Sequence, residues 1–156
     1  MIKKIKLNKK EIIDLQLNND PYLFIDEATE IVPGKSSKGF KYLKNDEWYF
    51  KIHWPQDPNM PAALQIESLT QTCSLALLTL NNDFKKAVYI SRITDAKFIK
   101  KVTPDQKITL ETKVIKFNRG IANCYGKGFL ENNEIFVESN FILVLPHILN
   151  EYKIKL

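Results

Sequence analysis

His53-Trp54-Pro55-Gln56-Asp57-Pro58-Asn59-Met60-Pro61, followed without a break by Ala62 to Leu80, is the stretch on which the reading of this chain turns. Its first part is a stiff loop. Three prolines fix their own φ near −65° and push the residues before them away from the helical region. Its second part predicts a helix over 62–80. Pro61 suits a first helical position, where a missing N–H costs nothing, and Asn81-Asn82-Asp83 stops the helix. Between Ala62 and Leu80 every residue is apolar, small or uncharged polar, except Glu67. A helix apolar on nearly every side is a buried one. A lone carboxylate inside it is costly unless paired, hydrogen-bonded or protonated. The loop histidine and the helix acid, fourteen residues apart, are therefore a candidate acid/base pair.

The rest of the 156 residues reads as support. Before the loop, Asn8 and Glu11 give a capping signature for a helix over Lys9 to Leu17, preceded by a short extended arm over residues 1–8. Tyr22 to Val32 and Ser36 to Leu43 predict strands about a Pro33-Gly34 turn, and Asn45 to Phe50 reads as irregular. After the helix, Ala87 to Ile93 and Ala96 to Val102 are two apolar segments of one bent stretch. Ile108 to Phe117, Ile121 to Leu130 and Glu134 to Leu145 then alternate as an antiparallel meander. On Ile108 to Phe117 one face carries Ile108, Leu110, Thr112, Val114 and Lys116. The tail His147 to Leu156 reads as a short helix or an added strand. This order predicts an α+β single domain over 1–156, a strongly twisted antiparallel sheet wrapped around one long buried central helix.

Composition narrows the function. The net charge of +5 comes from lysines spread along the chain, and no nucleic-acid-binding motif accompanies them. The longest uninterrupted apolar run near the helix, Leu75 to Leu78, is far below a membrane span. The start Met1-Ile2-Lys3-Lys4-Ile5-Lys6 lacks the apolar core of a signal peptide. Cys73 and Cys124 are isolated, and nothing resembles a metal site or a disulfide framework. The expectation is a soluble cytoplasmic protein.

The central stretch, with Ile66-Glu67 and Gln71, resembles the signature of the FabA/FabZ-type 3-hydroxyacyl-[acyl-carrier-protein] dehydratases. That signature reads His-Phe-Pro-Gly-x-Pro-x-Met-Pro-Gly, then an acid fourteen residues after the histidine and a glutamine four further on. Pro21-Tyr22-Leu23-Phe24-Ile25-Asp26, Val32-Pro33-Gly34-Lys35-Ser36, Ala96-Lys97-Phe98, Pro104-Asp105-Gln106, Asn118-Arg119-Gly120-Ile121 and Gly126-Lys127-Gly128 extend the resemblance over about residues 10–145. The resemblance implies the hotdog fold. It also implies a homodimer with shared active sites, His53 of one protomer facing Glu67 of the other, and in the family such dimers often stack into hexamers.

The implied activity is dehydration of a (3R)-3-hydroxyacyl thioester on acyl carrier protein to the trans-2-enoyl thioester, with no metal or organic cofactor. His53 would take the C2 proton and a neutral Glu67 would protonate the leaving hydroxide. Pro61 and Ala62 open the helix whose free amides would hold the thioester carbonyl, and Gln71 would orient the acid. Three departures stand out: Trp54 for Phe, Gln56 for Gly and Ala62 for Gly. Arg92 stands where the family has a small residue lining the acyl tunnel, so it is expected to shorten that tunnel or bind a polar substrate. Lys97, Lys100, Lys101 and Arg119 are expected to cluster at the entrance and contact the acidic carrier. The rival readings are a hotdog acyl thioesterase and a non-catalytic acyl-thioester binding protein.

Overall fold

The computed structural model describes residues 4–153. Of the expected N-terminal arm, residues 1–3 lie outside that range, as do tail residues 154–156. Ile5–Leu7 is a short strand, β1, and Lys9–Leu15 forms α1. The Asn8–Glu11 capping box is closed in both directions: Glu11 N donates to Asn8 Oδ1 at 3.0 Å and Asn8 N to Glu11 Oε2 at 2.8 Å. The helix stops two residues short of the expected Leu17, where Gln16 turns extended.

Strands β2 (Glu27–Val32) and β3 (Ser36–Leu43) follow. Only the second half of the expected Tyr22–Val32 strand is strand. Leu23, Phe24 and Ile25 are buried instead as core side chains of an irregular approach. The aromatic stretch expected to be irregular contains a short helix, α2 (Trp48–Ile52), whose Tyr49 and Phe50 are buried in the core. The central helix α3 spans Ala62–Leu78 with Pro61 one position outside it as N-cap.

Next come β4 (Tyr89–Phe98), β5 (Gln106–Asn118), β6 (Ile121–Phe129) and β7 (Ile135–Val144). The bend expected in the first of these is two register shifts within one strand, at Ile90/Arg92 and Ile93/Asp95. A further shift at Val114/Lys116 ends the alternation of β5, so Lys116 does not join the buried face of Ile108, Leu110 and Thr112. Arg119 (φ 51°) and Gly120 (φ 81°) make the β5–β6 turn with two left-handed residues, the geometry that suits a two-residue hairpin. The tail forms α4 (Pro146–Leu149) and one 3-10 turn.

All seven strands make one antiparallel sheet in the order β1-β2-β3-β5-β6-β7-β4. It wraps α3, which packs on β3, β5, β6 and β7. This is the hotdog arrangement. Burying α3 also requires its many Ser and Thr hydroxyls to find partners. Ser68, Thr72 and Ser74 donate back to the carbonyls of Gln65, Ser68 and Gln71 at 2.7–2.8 Å. Glu67 is the one carboxylate in α3, and it takes its partners from Thr70 and Gln71 one turn on.

Strand β4 lies at the sheet edge and differs from the rest. Tyr89, Ile90, Ile93 and Phe98 are 39–61% exposed, on a strand whose second edge pairs with nothing among the described residues.

Candidate active site

His53 caps the C-terminus of α2, its N–H bonded to Tyr49 O at 2.8 Å. Its Nδ1 lies 3.0 Å from Asn59 O. A carbonyl only accepts, so the ring proton of the neutral imidazole sits on Nδ1 and Nε2 keeps its lone pair. The ring stacks on Trp54 at 5.1 Å and 17°. Met60 N donates to Val102 O at 2.8 Å, and Asp57 pairs with Lys101, tying the loop to the segment after β4. The histidine is therefore a half-buried imidazole of fixed tautomer on a braced loop.

The loop delivers the chain to the N-terminus of α3. No side chain caps that end, and Ala62 and Ala63 are exposed. The carbonyl of Pro61 takes the N–H groups of Leu64 and Gln65 at 3.0 and 3.1 Å. The Ala62 N–H, by its place in the first turn, has no acceptor within the helix and lies at the positive end of the dipole.

Glu67 is half-buried one turn further on. Its Oε1 accepts from Gln71 Nε2 at 2.8 Å, and Thr70 Oγ1, which donates to Glu67 O at 2.9 Å, lies 3.4 Å from its Oε2. Burial pushes its carboxyl pKa above the ordinary value, and the bonds from Gln71 and Thr70 draw it partly back. Gln71 is itself held at both ends. It accepts from Phe24 N at 2.8 Å and donates to Tyr22 O at 2.9 Å. It orients the acid and satisfies backbone at once. Thr70 and Tyr22 were not singled out in the sequence. Thr70 was findable, being three residues from Glu67 on one helix face. Tyr22, whose hydroxyl pKa is raised by burial and by the Glu67 charge, was not.

Glu67 opens into a cavity of about 330 Å³, bordered on one side by Tyr89 and Ile90 at the start of β4. His53 does not line it. Arg92 does not line it either and is exposed on β4. The four cations expected to cluster do not all lie together in this chain. Lys97 stands on β4, and Lys100 pairs with Glu134 at 3.3 Å. Arg119 sits in the β5–β6 turn, beside the ring of Tyr152. Phe98 pairs with Val137 whereas Gly120 O accepts from Leu145 N, so the two ends differ by about 25 Å of strand rise. The hairpin turn was readable from sequence, but the end of the sheet on which it falls was not.

Comparison with known proteins places the chain. Residues 17–138 match the model of the FabA-like domain. A 3-hydroxyacyl-[acyl-carrier-protein] dehydratase FabZ of Clostridium novyi is 37% identical over 110 residues, covering 70% of this chain and 78% of that protein. Its namesake from Clostridium tetani is 36% identical over 136 residues, covering 87% and 94%. Among solved structures, the dehydratase heterocomplex ApeI:P from Xenorhabdus doucetiae superposes with a TM-score of 0.72 at 9% identity, over 90% of this chain and 95% of that one.

Proposed function

The chain belongs to the family of FabA-like domains, and on that footing we infer that it dehydrates a 3-hydroxyacyl thioester carried on acyl carrier protein, in fatty-acid synthesis. The observation that carries this reading is Glu67, a carboxyl pushed toward its neutral form and aimed by Gln71 into a cavity.

The chemistry uses three groups. His53 Nε2 takes a proton from C2, and the electron pair of that C–H bond moves toward the thioester carbonyl. The resulting enolate oxygen accepts from the Ala62 N–H at the start of α3. The enolate then expels the C3 oxygen, which leaves as water with the proton of Glu67. A proton from the imidazolium restores Glu67. A thioesterase would need Glu67 ionised as a base toward water, and burial works against that form.

His53 and Glu67 meet across a homodimer in this reading. The β4 strands of two protomers pair across a two-fold axis, covering Tyr89, Ile90 and Ile93 and bringing the partner's loop to the Glu67 cavity. The free apolar edge of β4 and the absence of His53 from that cavity support it. Lys97, Lys100 and Lys101 are the carrier contacts, although Glu134 and Asp57 already pair with the last two. Among the described residues no helix is long and apolar enough to cross a membrane.

Rising absorbance of the conjugated enoyl thioester, recorded on 3-hydroxyacyl thioesters beside His53→Ala, tests the function. The signal is expected with the wild type and absent with the variant. Release of free thiol without enoyl product would overturn it.

A further inference from the structure

We propose that Trp54 is a positioning residue for His53: its indole holds the plane of the imidazole, so that Nε2 is aimed at the C2 proton. This inference rests on the dehydratase reading, which makes His53 the base.

The backbone of Trp54 is the first observation. Its φ is 53°, in the left-handed region that bulky side chains avoid. Pro55, next in the chain, biases position 54 toward extended backbone instead. Burial does not account for the conformation, because the side chain is 65% exposed. Strained backbone of this kind persists where the surroundings over-determine it, and it clusters at functional sites. What it achieves here is the placement of one ring. Neighbouring side chains of an extended chain point to opposite sides. The indole instead lies against the imidazole of the residue before it, 5.1 Å away and 17° from parallel.

Three bonds close a circuit between the two residues. Asp57 N donates to Trp54 O at 2.8 Å, Asn59 Nδ2 to Asp57 O at 2.7 Å, and His53 Nδ1 to Asn59 O at 3.0 Å. Asp57 is pinned in turn by Lys101. The circuit begins on the tryptophan and ends on the imidazole, so the loop fixes the two rings relative to each other.

The bond to Asn59 does not fix the imidazole alone. It sets the direction of Nδ1, but χ2 of a histidine is a broad torsion and leaves the ring free to tilt. A flat surface against one face opposes that tilt. One restraint acts in the plane of the ring and the other across it. A catalytic group has to be aimed to within about 10–20°, which calls for both. The imidazolium that forms when Nε2 takes the proton also lies against an indole face, which attracts a cation. Leucine at position 54 supplies neither effect, and phenylalanine supplies both more weakly.

The test reads dehydration of a 3-hydroxyacyl N-acetylcysteamine thioester and proton NMR of the imidazole, on full-length wild type, Trp54→Leu and Trp54→Phe. The chain has 2 histidines, so the His53 ring signals are assigned by their loss in His53→Ala. In the wild type they are expected upfield, in the ring current of the indole, and in Trp54→Leu they should lose that displacement. Trp54→Leu should lower kcat by about 10–10²-fold, with KM, melting temperature and sedimentation unchanged. Trp54→Phe should recover most of the loss, which a merely space-filling role would not require. A near-normal kcat in Trp54→Leu would overturn the proposal, as would undisplaced ring signals in the wild type. A loss accompanied by dissociation or by a raised KM would assign Trp54 to a protomer or substrate contact, and would overturn it too. A wild type that dehydrates nothing would strike the dehydratase reading and this inference together, whereas dehydration indifferent to Trp54→Leu would strike this inference alone.

Discussion

Gln71 Nε2 donates to Glu67 Oε1 at 2.8 Å, and the same side chain is clamped to Phe24 N and Tyr22 O. The acid is thereby tied to a segment nearly fifty residues away in sequence. Gln71→Leu keeps the volume and removes every one of these bonds. It leaves the buried Phe24 N–H and the half-buried Tyr22 carbonyl unpaired, with an expected loss of about 1–3 kcal/mol of stability. Glu67 also loses its aim, so kcat should fall together with the urea midpoint. A variant with wild-type stability would show that water or backbone movement replaces the amide.

His53→Ala and Glu67→Gln should each lower the dehydration rate by about 10²–10⁴-fold, the usual worth of a positioned proton donor or acceptor. Their melting curves should stay cooperative. Mixing the two inactive variants by co-expression gives a sharper result. In a shared-site dimer, half the population is mixed and each mixed dimer keeps one intact site, so about a quarter of the wild-type rate returns. No recovery would mean that base and acid act within one chain.

The Ala62 N–H can be removed without disturbing the helix. Position 62 is the first helical residue, which tolerates proline, and Pro61 before it already has the extended ψ of 140° that a following proline demands. Ala62→Pro should lower kcat by about 10²–10³-fold, as expected for one lost oxyanion donor. Its melting temperature should be nearly unchanged. A near-normal kcat would assign the enolate to another donor.

The raised carboxyl pKa of Glu67 makes stability depend on pH with a definite sign. A folded-state pKa above the unfolded value means that the folded protein disfavours the ionised form. That contribution is fully present below the ordinary carboxylate range and is lost as pH rises through the elevated folded value. Glu67→Gln removes the loss while retaining an amide oxygen for Gln71. The stability of the variant relative to wild type should therefore increase between about pH 4 and neutrality. Urea titrations across that range check it, and a difference independent of pH would show an unperturbed carboxyl.

Much of this protein is legible in one dimension. The proline-rich loop, the uncharged run from Ala62 and the isolation of Glu67 announce a buried helix with a base before it and an acid within it, because burial of charge is costly whatever the surroundings. Alternation along Ile108–Leu110–Thr112 announces a half-buried strand for an equally local reason. Other features depended on the fold. Leu23 to Ile25 look like strand but serve as core, since packing overrides local pattern. Arg119 resembled a neighbour of Lys100 until strand pairing put the two at opposite ends of the sheet. The bond between Gln71 and Phe24, and that between Ser74 and Gln16, join residues 47 and 58 positions apart. Residue type and local burial, both readable along the chain, are what single out His53 and Glu67 as the candidate pair. What surrounds that pair could not be read along the chain, because contacts between distant segments exist only once the sheet has closed around the helix.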